Sequence, residues 1–343
     1  MRNESIDIAK CIGIFFIVLG HTLRSGYLEY YIFSFHVPLF FMASGLCWKN
    51  PTGFVPFLKK RIKSLLIPYY VFSIISVIVY MGFGKIASER LTADGTNLSF
   101  IKSIGGMLYA NSKTGNMEWN TPLWFLPCLF ACNILVYLLE KRIANQDLYR
   151  FISILGLFCL NKIASDFFAN IYLPFHIETA IGMTGFFELG IWLRRYYIYI
   201  SSELENVSVI KCGALFLLLQ SIGIWCIIGN NNVRVDVRID HYGNYLLYVL
   251  GAVSLSMAVF LLSNKLHSRK MQYVGQHTLG ILLMHKFPVV FFQTMIPAGQ
   301  IVLTQPNTIR GIVLACTFAS ISMIMCLVVD SFINRFMPFL YGK

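Results

Sequence analysis

IDIAKCIGIFFIVLGHT (Ile6 to Thr22), followed closely by FSFHVPLFFMASG (Phe33 to Gly45), is the stretch that decides the fold. Its first half is an apolar run long enough for a membrane helix, yet it carries Asp7, Lys10 and His21. A charged side chain at the centre of a lipid-spanning helix costs about 2.5 to 3.5 kcal/mol, so it needs a partner or a task. At about 100° per residue, His21 lies only about 20° round the helix from Lys10, and Asp7 about 60°. The three share a face, as a polar seam between helices or as the wall of a reaction cavity. A rise of about 16 Å from Lys10 to His21 forbids a direct pair. Joint action by these two therefore requires a long cavity or a long substrate.

The rest of the chain is equally apolar. Of its 343 residues 57% are hydrophobic and 13% charged, against roughly 25% charged in soluble domains. The composition predicts an all-α polytopic membrane protein, one domain over residues 1–343, with the lipid bilayer as its first partner. About ten spans are expected: Ile6 to Thr22, Tyr31 to Leu46, Leu65 to Phe83, Leu123 to Leu139, Phe151 to Phe168, Ala180 to Leu193, Cys212 to Ile228, Tyr245 to Leu262, Thr278 to Met295 and Ile312 to Phe332. Lys162 and Asp166 make the fifth the most polar of them. Basic residues concentrate in alternate connections, as in Lys49 with Lys59 to Lys63, Lys141 with Arg142 and Arg150, and Lys265 with Arg269 and Lys270. The sparser set, counting Arg24, Lys85, Arg90, Lys102 and Lys113, falls between them. By the positive-inside rule both termini are cytoplasmic.

That asymmetry also explains the formal net charge of +12, because basic helix ends meet anionic headgroups; nucleic acid is not called for. The nine cysteines fall mostly inside apolar runs without a CxxC pair and read as small core residues, with neither disulfides nor zinc expected. No metal-ligand spacing, phosphate-binding glycine loop or internal repeat stands out. The first run has Lys and Asp within it and is not read as a cleaved signal.

Further along, Pro38 removes a backbone donor two residues after His36 and is expected to kink the second span, freeing polar groups near that histidine. Ser44-Gly45 near its end reads first as a close-packing surface. FLKKRIKSLLIPYY (Phe57 to Tyr70) gathers basic residues, among which Arg61 offers a fork suited to phosphate. The long connection Gly84 to Pro122 has no strong helical period and ends in EWNTPLWFLPCLF (Glu118 to Phe130), whose Trp119 and Trp124 read as interfacial anchors or as faces for a sugar ring. In NNNVRVDVRID (Asn230 to Asp240) apolar and charged residues alternate, predicting a short two-faced strand over the outer opening. LLMHKFP (Leu282 to Pro288) places His285 within the ninth span.

Taken together, IDIAKCIGIFFIVLGHT, FHVPLFFMASG (Phe35 to Gly45), KKRIKSLLIPYY (Lys59 to Tyr70), PLWFLPCLF (Pro122 to Phe130) and VGQHTLGILLMH (Val274 to His285) resemble the integral-membrane acyltransferase-3 family, and within it the fucose 4-O-acetylase-like branch. The likeness runs along nearly the whole chain in the family's order. It implies transfer of an acyl group, usually acetyl, from cytoplasmic acyl-CoA to a hydroxyl of an envelope carbohydrate, by a multi-pass protein of the cytoplasmic (inner) membrane. Acetyl-CoA would be a co-substrate, with no metal.

Carried over residue by residue, the family's basic residue and histidine on the first helix fall on Lys10 and His21, with Asp7 beside them. The serine-glycine falls on Ser44 and Gly45, the basic motif on Arg61 and the family's WFL on Trp124 to Leu126. His21 is expected to deprotonate the acceptor hydroxyl or to carry the acyl group. Substrate contacts are expected at Asn120, Trp124, His36 and His285, the two histidines reading alternatively as groups that orient His21 or stabilise the oxyanion, or as helix-packing residues. Two positions depart from the pattern. Lysine replaces the commoner arginine at Lys10, and Ser64 stands where the motif has a second arginine, so Lys60 or Lys63 would have to complete a donor-phosphate contact. Intramembrane Asp, Lys and His also serve proton-coupled transporters and flippases, which is the competing class. Oligomeric state, acceptor sugar and acetyl against succinyl are not legible.

Overall fold

A computed structural model of the chain describes residues 4–91, 100–112, 118–143, 146–167, 172–206 and 208–343. The charged residue Lys113 used for the orientation lies outside them. The described residues are helices, with a single isolated bridge between Asp236 and His241 in place of any sheet. In order these are α1 (Glu4–Thr22), α2 (Tyr27–Leu46), α3 (Phe54–Arg61), α4 (Ile67–Leu91), α5 (Phe100–Tyr109), α6 (Phe125–Ile143), α7 (Asp147–Phe167), α8 (Ile177–Asn206), α9 (Val209–Gly229), α10 (Tyr245–Lys265), α11 (Arg269–Gln276), α12 (Thr278–Met284), α13 (Lys286–Met295), α14 (Pro297–Thr304) and α15 (Ile309–Phe336).

Seven helical segments are long and apolar enough to cross a membrane, and α12 with α13 makes an eighth as a bent pair. The fold is thus the expected all-α polytopic one. The remaining two expected spans, α2 and α8, are helices of 20 and 30 residues and do not meet that test of length and hydropathy. α2 buries Glu29, Ser34 and His36 inside the protein, as an interior helix does.

Burial separates the centre from the rim. In α1, 67% of the apolar window is buried inside the protein, against 17% in α9. α1 packs on α2, α10, α11, α12, α13 and α15, so the helix bearing Asp7, Lys10 and His21 is walled by protein, while α9 turns most of its side chains to lipid. Close approach at the centre depends on glycine. A Cβ on Gly45 would collide with the Phe187 carbonyl of α8, and one on Gly190 with the Met42 carbonyl of α2. The Ser44-Gly45 pair is therefore divided in role, with Gly45 serving the packing of α2 on α8.

Two expectations are corrected, for the stretch from Gly84 and for the alternating segment, and two other features are additions to the reading. The connection before the third span is helical: α3 runs into α4 through a π-helical turn, Ile62–Leu66, of a kind that recurs at functional sites. The stretch from Gly84 is not without helix, since α4 continues to Leu91 and α5 follows. The alternating segment Asn230 to Asp240 is no strand. Asn231, Asn232 and Asp240 adopt positive φ, and the Asp236 carboxylate accepts from the Arg238 N–H to cap a short 3-10 turn, Val237–Ile239. Its alternation matches burial only in part: Val235 and Val237 are inside and Arg234 is half-buried, but Asp236 is buried between them and Ile239 is exposed. The ninth span is also not one straight helix but bends by 44° between α12 and α13. Pro288 cannot donate to the Met284 carbonyl one turn back, which accounts for the break. By contrast, α2 continues as one helix through Pro38.

Candidate active site

The seam on α1 opens onto two cavities. The inner one, about 240 Å³, is lined by Lys10, Ile14, Ile17 and His21 of α1, by His36, Val37, Phe40 and Ser44 of α2, by Ser64 and Leu65 of the π turn, and by Trp124, Leu126, Leu129, Thr278 and Leu282. It follows the helix face from Lys10 to His21, the long cavity that their separation demands. Apart from its two ends and the serines, its walls are mainly apolar. The outer cavity, about 280 Å³, is lined by His21, Arg24, Glu29, Phe33, His36, Thr121, Trp124, Arg234, Asp236, Arg238, Lys286 and Gln293, among others. His21, His36, Val37, Pro122 and Trp124 belong to both. The two cavities therefore meet at a pair of histidines and a tryptophan.

At the inner end, Lys10 Nζ lies 3.7 Å from the buried Asp7 carboxylate and 3.9 Å from Cys47 Sγ, past the end of α2. Asp7 itself also receives Gln276 of α11 at 3.4 Å. Asp7 thus stands behind Lys10 and holds its ammonium at the cavity wall. Ser44 donates to the Phe40 carbonyl at 2.8 Å while facing the same space. Ser64, standing where the family pattern has a second arginine, forms part of the wall.

Arg61 precedes that serine on the same turn. Its guanidinium lies over Trp48 and Phe57, at 5.9 and 5.3 Å from their ring centres, and its buried Nε has no hydrogen-bond partner among the described residues. Lys60 and Lys63 are exposed beside it. None of these three lines the cavity itself. The chain end braces this turn: Gly342 packs on the Lys63 carbonyl, and Tyr341 stacks on Phe72 and donates to Asp330 at 2.6 Å.

At the junction, His21 and His285 have ring centres 5.3 Å apart, and Phe33 lies edge-on to both His21 and His36. His285 Nδ1 is 3.0 Å from the carbonyls of Ile281 and Leu282, and His36 Nδ1 is 2.8 Å from that of Ile32. A carbonyl only accepts, so each Nδ1 carries the proton, and in the neutral ring Nε2 is left as an acceptor. His285 Nε2 is buried with no partner among the described residues. His21 makes no such backbone commitment and lines both cavities.

Trp119 and Trp124, which the sequence offers as interfacial anchors or as faces for a sugar ring, are both buried. Trp124 walls both cavities and leans on His176 at 5.3 Å. Asn120 is fully buried but lines neither cavity: its amide donates to Ser76 Oγ and to the Leu283 carbonyl, tying α4 to the bend before α13. Glu29, Arg234, Lys286 and Arg24 were not singled out as site residues. They come together only through tertiary structure, since α2, the loop after α9 and α13 are far apart in the chain. The one sequence signal was LLMHKFP, with a lysine next to an intramembrane histidine.

Among the described residues no group of His, Cys, Asp and Glu is arranged to hold a metal ion. The family model for an acyltransferase domain, the third of its kind, matches residues 3–328. No curated protein and no solved structure matches the chain.

Proposed function

This chain belongs to the acyltransferase-3 family and is a membrane O-acyltransferase, and from that premise we propose that it moves an acetyl group from cytoplasmic acetyl-CoA to a hydroxyl of an envelope carbohydrate. The observation that carries the reading is the meeting of two unlike cavities at His21. An apolar passage running from Lys10 suits the long, uncharged arm of CoA, with its thioester delivered to His21. Arg61, Lys60 and Lys63 beside the passage suit the donor phosphates. A polar chamber on the other side suits a sugar, with Trp124 as a flat face between them. The motif likeness to the fucose 4-O-acetylase-like branch supports acetyl as the group and a glycan as the acceptor. With both termini cytoplasmic, in the cell membrane, the inner cavity faces the donor's compartment.

In the proposed step the acceptor hydroxyl gives its proton to a His21 ring nitrogen as its oxygen attacks the thioester carbonyl carbon. The C–S bond then breaks, and the CoA sulfur leaves with the proton returned from the imidazolium. General-base assistance of this kind contributes about 100- to 10,000-fold. His285, its ring centre 5.3 Å from that of His21 and its Nε2 without a partner among the described residues, orients the His21 imidazole. His36 presents a second acceptor nitrogen to the same space and steadies the incoming hydroxyl. Lys10, held by Asp7, is too far from His21 for this chemistry and serves the donor's passage.

Membranes from cells making their own glycans, supplied with radiolabelled acetyl-CoA, test the reading. Label enters a glycan fraction with wild type and is lost with His21→Ala. Substrate export that survives in His21→Ala, with no acetyl-CoA turnover in wild type, would instead mark a transporter.

A further inference from the structure

The outer cavity has more positive than negative charge, and its geometry says where. Arg234 spends itself on acids: its Nε donates to the buried Glu29 at 2.7 Å and its Nη1 to Asp236 at 3.1 Å, with its guanidinium 4.0 Å above the Phe33 ring. Arg238 reaches the same Asp236 at 3.6 Å and the Ser112 carbonyl at 3.4 Å. Each carboxylate of the chamber is thereby paired with an arginine, with Glu29 Oε2 left without a partner among the described residues. Lys286 and Arg24 line the same chamber, and among the described residues neither has a hydrogen-bonding or ion-pair partner. Lys286 lies within electrostatic range of both Arg24 and Arg238. Four cations stand around one cavity against two carboxylates, two of the cations unpaired, and a cleft with such an excess of one sign of charge concentrates ions of the other.

We propose that the acceptor is an anionic sugar: the unit that presents its hydroxyl to His21 carries a phosphate or carboxylate that docks between Lys286, Arg24 and Arg238. This rests on the outer cavity being the acceptor's side. The paired Arg234 with Glu29 and Asp236 forms the fixed wall, and the unpaired cations form the specificity. Lys286 is the next residue after His285, so the bend that brings one imidazole to His21 also aims the ammonium at the chamber. An anion bound there holds the sugar's hydroxyl at a set distance from His21. A neutral sugar leaves the two cations unpaired and loses that anchorage.

Equilibrium binding of glucose, glucuronic acid and glucose 1-phosphate to the full-length protein in lipid nanodiscs tests this, with acetyl-CoA binding measured alongside. A charge-assisted contact predicts that at least one anionic probe binds about tenfold more tightly than glucose. Whichever of the two binds more tightly distinguishes phosphate from carboxylate. Lys286→Gln and Arg24→Gln each reduce that preference, Lys286→Arg retains it, and acetyl-CoA binding is unchanged in all three, which controls for folding. Equal binding of glucose by wild type, or a preference untouched by Lys286→Gln, overturns the proposal while leaving acetyl transfer standing. Anion preference without any acetyl transfer from acetyl-CoA would sink the acyl-transfer reading, and the acceptor assignment with it.

Discussion

The imidazole of His285, at the bend between α12 and α13, lies 5.3 Å from that of His21 near the end of α1, centre to centre. Its Nδ1–H is committed to two backbone carbonyls, and its Nε2 is buried with no hydrogen-bond partner among the described residues. In the proposed step His285 is a positioning residue for His21. His285→Ala should lower kcat on the order of 100-fold through loss of orientation, with the KM for acetyl-CoA little changed. His285→Gln keeps an acceptor near the same place and should recover part of the rate. A KM effect with unchanged kcat, or no rescue by glutamine, would contradict the role.

Lys10 at the far end of the inner cavity should show the opposite split. Lys10→Met removes the ammonium that Asp7 holds at 3.7 Å and should raise the KM for acetyl-CoA more than it lowers kcat. Lys10→Arg should be close to wild type. Steady-state kinetics with varied acetyl-CoA measure both, and a kcat-only defect in Lys10→Met would place the lysine in the chemistry instead.

How much of this was legible in the sequence follows from what each signal reports. Intramembrane charge is costly wherever it occurs, so Asp7, Lys10 and His21 on one apolar helix announced themselves and their shared face. Alternation in Asn230 to Asp240 reported burial only in part, with Val235 and Val237 inside but Asp236 buried and Ile239 exposed, and three residues at positive φ with the Asp236 cap make a turn of it. The tryptophans show the limit of residue type alone: an anchor and a cavity wall want the same ring, and only packing separates them. The convergence of His36, His285, Lys286 and Arg234 on His21 depends on a bend and a loop, which no local pattern encodes.

A buried triad shared by three helices makes a stability prediction. Arg150 of α7, 1% exposed, lies 2.6 Å from Glu140 of α6 and 2.5 Å from Glu188 of α8. Arg150→Leu strands two buried carboxyl groups and should cost about 3 to 5 kcal/mol. Glu188→Gln leaves the Arg150–Glu140 pair intact and should cost far less. Thermal unfolding in detergent compares the two, and equal losses would contradict the shared-cation account.

The glycine contact between α2 and α8 gives another. Gly45→Ala places a methyl group against the Phe187 carbonyl, and the helices must separate, at about 1 to 3 kcal/mol by analogy with overpacked cores. Because Ser44 faces the inner cavity from the neighbouring position, the variant should also weaken transfer. An unchanged melting temperature would show that α2 and α8 have slack there.

The claim that donor and acceptor reach His21 through separate cavities from opposite faces is tested most directly by sidedness. Sealed membrane vesicles of both orientations are given radiolabelled acetyl-CoA from outside. The account predicts glycan labelling only in inside-out vesicles, in right-side-out vesicles only after permeabilisation, and in neither with His21→Ala. Equal labelling of intact right-side-out vesicles, or labelling that persists with His21→Ala, would contradict it.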